Sequence, residues 1–156
     1  MLKWLGIALG VLVLDQLTKY GITRTFTLHE MVEVAPFFNL VLVYNSGAAF
    51  SLLSDAAGWQ RELFIVIALS ASIWIAWLLR KHSGETLFCL ALSLILGGAV
   101  GNVIDRVLIG AVVDFLDFHA LGYHWPAFNV ADSAISCGAV LLIWDALKPK
   151  GKAAAA

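Results

Sequence analysis

Four stretches of this chain are each long and apolar enough to cross a lipid bilayer, and nothing else in the sequence constrains the fold as strongly. A crossing takes about 20 mostly apolar residues wound as a helix, because the hydrocarbon core offers no water to the backbone polar groups. The stretches cover about residues 4–22, 63–79, 86–104 and 128–144. The second and third contain no charged residue. The first is apolar through Leu14 and then polar at Asp15, Gln16, Thr18 and Lys19. The fourth is broken only by Asn129, Asp132 and small serines. Composition agrees: 61% of the residues are hydrophobic and 13% charged, where a soluble domain carries about a quarter charged. One soluble core of this size cannot hide that much apolar side chain. Disorder is excluded because disordered chains are poor in apolar residues. A net charge of -1 without a basic stripe excludes a nucleic-acid module.

Lys3 followed by an apolar run has the start of a signal peptide, but Asp15, Gln16 and Lys19 stand where a small-residue cleavage site belongs. The first span is therefore read as uncleaved. Lys and Arg in the short flanks set the orientation. Lys3, Arg80, Lys81, Lys148, Lys150 and Lys152 fall on one side, and Lys19, Arg24, Arg61 and Arg106 on the other. Asp15, Glu62 and Asp105 stand close to three of the latter group. Both termini are thus expected in the cytoplasm. The β-prone residues Val32, Val34, Phe38, Leu40, Leu42 and Tyr44, punctuated by Pro36, predict two or three short strands within an outer segment of about 25–58. Asn45-Ser46-Gly47 supplies a turn, and residues 48–53 predict a short interfacial helix. The second outer segment, 106–125, is rich in aromatics suited to the headgroup level. The fold class expected is an all-α polytopic membrane protein with four transmembrane helices, a small extracytoplasmic β-sheet and a short interfacial helix. It forms one domain over 1–147, followed by a disordered cytoplasmic tail over 148–156.

Ionisable groups at membrane depth are costly and mark candidate sites. Asp15 and Lys19, spaced i and i+4, share a helix face and can pair. Gly97-Gly98-Ala99-Val100-Gly101 makes a small-residue face for close helix packing. Asn102 and Asp105 share a face beyond it, and Asp105 beside Arg106 reads most simply as an ion pair. Asp114 and Asp132 differ from these, since neither has a basic residue within four positions. The connection between them is long enough for both to approach one point. Two carboxylates in a dry site cannot both ionise easily, so one keeps a proton while the other activates water. Residue types alone leave open a plain hydrogen-bonding role for either carboxylate, and leave Asp117 as a competing partner. His119 and His124 loosely resemble a metal site, but no H-E-x-x-H occurs and both read as interfacial. Ser133 lacks a neighbouring base; Cys89 and Cys137, in apolar runs, suggest neither a disulfide framework nor a zinc ribbon, and Cys137 reads as a packed residue rather than a thiolate.

Five blocks, in order, resemble the lipoprotein signal peptidase (signal peptidase II) family. They are Asp15-Gln16-Leu17-Thr18-Lys19, Asn45-Ser46-Gly47-Ala48-Ala49-Phe50, Gly97 through Arg106, Val112-Val113-Asp114-Phe115, and Phe128-Asn129-Val130-Ala131-Asp132-Ser133. The resemblance spans nearly the whole chain. It implies a bacterial inner-membrane aspartic peptidase that cuts diacylglyceryl-modified prolipoproteins just before the lipidated cysteine. By motif match it implies Asp114 and Asp132 as the catalytic pair, and so selects Asp114 over Asp117. It also implies Asn45, Gly98, Asn102, Asp105, Arg106, Asn129 and Ala131 as substrate-contacting or site-supporting, with Asp15 and Lys19 as structural support. Expected partners are the prolipoprotein and membrane lipid, with no nucleic acid, metal or cofactor, and the chain is expected to be a monomer. The rivals are a small ion-coupled transporter or channel subunit, since intramembrane carboxylates also mark ion pathways, and a structural partner subunit. Four spans without an inverted repeat argue against the transporter.

Overall fold

The computed structural model describes residues 1–47 and 59–148. The elements run α1 (Leu2–Thr25), β1 (Met31–Ala35), β2 (Phe38–Asn45), α2 (Trp59–Lys81), α3 (Thr86–Leu108), β3 (Val112–Ala120), β4 (Tyr123–His124) and α4 (Val130–Leu147). All four helices are long and apolar enough to cross a membrane. The first three outrun the apolar stretches that announce them. Polar residues at their ends, such as Arg61, Glu62 and Arg106, continue the helical backbone pairing. The start of α4 is set instead by its cap. Asn129 is extended, and its side-chain oxygen accepts the Asp132 N–H at 2.8 Å, satisfying one of the donors that a helix start leaves open.

α3 packs against each of the other three helices and is the axis of the bundle. Its glycines make that possible. A Cβ on Gly97 would stand 2.5 Å from the Ala8 carbonyl oxygen of α1, and one on Gly101 would stand 2.6 Å from Asp15 Oδ2. A Cβ on Gly98 would collide with the Ala131 carbonyl of α4. Near the helix ends remote from the sheet, Trp4, Ala8, Ile75, Leu79, Cys89, Leu92 and Leu96 form an apolar core. There the Trp4 indole N–H donates to the Ser83 carbonyl at 3.1 Å. The outward faces of α1, α2 and α4 stay apolar and exposed, with Leu17, Ile73 and Ile143 among them, as a lipid-facing surface requires.

The strands pair antiparallel in the order β1-β2-β3-β4. This corrects the expectation that the sheet comes from the first outer segment alone. The second outer segment supplies β3, which lies centrally, and β4. Leu121 and Gly122, both at positive φ, make the two-residue turn between them, a geometry whose twist suits a hairpin. One face of the sheet packs Leu42, Val113 and Phe115 against Ile22 near the end of α1. Both interhelical segments that carry strands leave the same end of the bundle. The start of α1, the end of α4 and the short α2–α3 turn lie at the other. The interfacial helix expected over 48–53 lies outside the described residues, as does the tail beyond 148.

Candidate active site

The sheet and the bundle meet at two carboxylates. Asp114 is on β3 and 2% exposed. Asp132 is in the first turn of α4. Asn129 ties the two elements together. Its amide nitrogen donates to Asp114 Oδ1 at 2.8 Å and to the Val113 carbonyl at 3.2 Å, while its amide oxygen caps the Asp132 N–H. Asn45, at the end of β2, donates to Asp114 Oδ2 at 3.0 Å. Asn102 of α3 donates to Asp132 Oδ1 at 2.7 Å. Both carboxylates line a cavity of about 470 Å³ that Asn45, Asn102, Arg106 and Trp125 also border. Burial pushes the Asp114 carboxyl up to about 7, and the negative charge of Asp132 adds to it, against the opposing hydrogen bonds from Asn45 and Asn129.

Beneath the pair lies a buried ionic network. Lys19 Nζ stands 2.8 Å from Asp15 Oδ2 and 2.8 Å from Asp105 Oδ2, and it donates to Asn102 Oδ1 at 2.9 Å. The expected Asp15–Lys19 pair is therefore present, but the expected Asp105–Arg106 pair is not. Asp105 turns inward, where it also accepts from Gln16 Nε2 at 3.0 Å and from the Val113 N–H at 3.1 Å. Arg106 turns the other way. It donates to the Gly47 carbonyl at 2.9 Å and lies over the Phe64 ring, 5.2 Å from its centroid. Neighbours in a helix point about 100° apart, so adjacency in sequence does not make them partners. Asp15 Oδ1 accepts the Ala131 N–H at 2.8 Å, which fastens α4 to α1. Ala131 is fully buried, and Gly98 gives its backbone room.

Asp117 is held apart from this group. It accepts from Asn39 Nδ2 at 2.7 Å and from His124 Nδ1 at 2.9 Å. Burial acts upward on its carboxyl, but those hydrogen bonds and the histidine outweigh it and hold it below the usual range. It does not border the cavity. Cys137 does border it and is exposed, which corrects its reading as a packed residue. Gln16 and Phe64 also contact these side chains, in roles not read from the sequence, and Gly47, read from sequence as part of a turn, accepts the Arg106 hydrogen bond. Gln16 sits one position from Asp15 in a polar run, and that run was the available signal.

These features define a class: a polytopic membrane protein whose buried carboxylate pair opens on a cavity between a helix bundle and a small sheet. The family model described as "Signal peptidase (SPase) II" matches residues 7–148. A lipoprotein signal peptidase from Janthinobacterium sp. (strain Marseille) is 61% identical over 152 residues, covering 97% of this chain and 92% of that protein. One from Cupriavidus necator is 63% identical over 147 residues, covering 94% and 84%. A solved structure described as a bacterial membrane enzyme superposes with a TM-score of 0.85 at 37% identity, covering 94% of this chain and 88% of that one. The chain belongs to the signal peptidase II family. The transporter or channel reading finds no support in these relatives.

Proposed function

We propose that this chain is a membrane-embedded aspartic endopeptidase that removes the signal peptide from diacylglyceryl-modified prolipoproteins, cutting just before the lipidated cysteine. The observation that carries the mechanism is the pair of carboxylates, Asp114 and Asp132, bridged by Asn129 at one cavity. Asp114, with its carboxyl pushed up to about 7, holds a proton near neutral pH. Asp132 takes a proton from water as that water attacks the scissile carbonyl. Protonated Asp114 polarises the carbonyl, and the proton is then available for the leaving amine. Asn45, Asn129 and Asn102 fix the two carboxylates in place. Arg106 and Asn102 contact the substrate. Gly98, Asp105, Ala131, Asp15 and Lys19 support the site through the contacts described above.

Further parts of the proposal concern the setting. The protein works as a monomer in the bacterial inner membrane, with the sheet and cavity on the outer side and both termini in the cytoplasm. The lipid-modified peptide enters laterally, its acyl chains still in the bilayer. Supporting this orientation, Lys3 over Trp4 and Lys81 over Trp77, at 4.5 and 5.0 Å from the ring centroids, put cations and interface-seeking rings together near the helix ends remote from the sheet. Reporter fusions at Gly58 and Lys150 are expected to report opposite sides of the membrane, and a common side for both contradicts the orientation.

The pH profile of cleavage tests the mechanism. Loss of the Asp114 proton removes the acid, so the rate falls as pH rises through about 7. The hydrogen bond from Asn45 lowers the Asp114 value. Asn45→Ala therefore moves this limb to higher pH. A limb that stays in place or moves downward overturns the assignment of Asp114 as the acid.

A further inference from the structure

We propose that Lys19 is a positioning residue for cleavage: it holds the Asn102 amide in the one orientation that donates to Asp132, and so keeps that carboxylate ready to take the proton of the attacking water. This goes beyond the structural support expected of Lys19, and it rests on the assignment of Asp132 as the base. Asn102, buried on α3, lies between a group that can only donate and a group that can only accept. Lys19 Nζ stands 2.9 Å from its amide oxygen, and its amide nitrogen stands 2.7 Å from Asp132 Oδ1. An ammonium offers three N–H groups and no lone pair, whereas an ionised carboxylate offers lone pairs and no proton. The amide therefore fits in one sense only. A flip sets its oxygen against Asp132 and its N–H groups against the ammonium.

The ammonium has no freedom left to abandon this role. Its three N–H groups meet Asp15, Asp105 and Asn102 at 2.8, 2.8 and 2.9 Å. Asp15 and Asp105 are fixed in turn by the Ala131 and Val113 N–H groups, at 2.8 and 3.1 Å. A cation on the amide oxygen also polarises the amide, and bonds in such a chain strengthen one another. A donated hydrogen bond favours the charged form of a carboxylate. Asp132 Oδ2 has no hydrogen-bond partner among the described residues and is the oxygen left for water. Asn129 does not duplicate the lysine. Its amide nitrogen reaches the Asn102 oxygen only at 3.3 Å and stands closer, at 2.8 Å, to Asp114 Oδ1. Lys19 does not border the cavity, so its action on the reaction runs through Asn102. The charged groups around Asp132 among the described residues are Asp114 on β3, Asp15 and Lys19 on α1, and Asp105 and Arg106 on α3.

The test follows cleavage of a diacylglyceryl-modified peptide by the full chain in detergent as a function of pH, with thermal unfolding read in parallel. Asn102→Leu removes the donor and leaves every charge in place, and the acidic limb of its rate profile moves up by about one pH unit. Lys19→Met leaves two acids without a counter-charge, so Lys19→Met/Asp105→Asn, which keeps the net charge of the cluster, is compared with Asp105→Asn. The double variant loses about tenfold in kcat at neutral pH, a part of what a positioned base contributes. Its KM is that of Asp105→Asn, and its acidic limb lies higher. Added to Asn102→Leu, the Lys19 change moves the limb no further, as expected of two residues acting in series. Asp15→Ala breaks a different bond of Lys19; it lowers Tm and does not move the limb upward. An unmoved limb in Asn102→Leu, a limb that stays in place when Lys19 is replaced, an upward shift in Asp15→Ala, or additive shifts in the combination overturns the proposal. An Asp132→Asn protein that cleaves normally overturns the base assignment itself, so the two failures are distinguished.

Discussion

Asp114→Asn and Asp132→Asn each abolish cleavage while the protein still folds and still binds lipidated substrate. Asparagine matches the carboxylate in volume and can keep hydrogen bonds to the neighbouring amides after a rotamer or amide flip. It cannot take a proton from water or deliver one to the leaving amine. General acid–base groups contribute about 10²–10⁴-fold each. In the proposed mechanism both groups act on one water and one carbonyl, so the double variant is expected to be little worse than either single one. Asp117→Asn is the control. Its partners are Asn39 and His124, it does not border the cavity, and the variant retains activity. Peptide cleavage measured on all four variants, with substrate binding measured separately, decides the matter. An inactive Asp117→Asn beside a fully active Asp114→Asn contradicts the assignment of the pair.

Lys19→Met has the largest expected effect on stability. The lysine is 3% exposed and stands 2.8 Å from two carboxylates that are themselves buried. Removing it leaves Asp15 and Asp105 without their counter-charge and takes a donor from Asn102. Removing one partner of a buried pair costs about 3–5 kcal/mol, and here two acids are left behind. Asp15→Ala is the milder change, because Lys19 keeps Asp105 as a partner. It still loses the bond to the Ala131 N–H that holds α4 on α1. Thermal unfolding in detergent is expected to rank Lys19→Met as the less stable of the two. The reverse order contradicts the shared-lysine arrangement.

The spans were legible because the bilayer imposes length and apolarity on each crossing independently of its neighbours. The Asp15–Lys19 pair was legible because helical spacing puts i and i+4 on one face. Asp114 and Asp132 stood out as carboxylates without nearby cations. β3 was not legible as a strand. Its run Val112-Val113-Asp114-Phe115-Leu116-Asp117-Phe118 buries residues on both faces, so the alternation that announces a half-exposed strand is missing. The Asp105–Arg106 pairing failed because the partners that count, Lys19 and the Gly47 carbonyl, lie 86 and 59 positions away. The role of Asn39 is not legible in the sequence for the same reason. Its importance is its cross-strand register with Asp117, which only the assembled sheet creates.

The proposed reaction is a lipid-specific proteolysis that needs only the two carboxylates and water. The most direct measurement incubates the purified chain in EDTA with two peptides of one prolipoprotein sequence, one carrying diacylglycerol on the cysteine and one unmodified, and identifies the products by mass spectrometry. A single cut immediately before the modified cysteine is expected, and no cut in the unmodified peptide. Equal cleavage of both peptides, a cut elsewhere, or activity lost in EDTA and restored by zinc contradicts it.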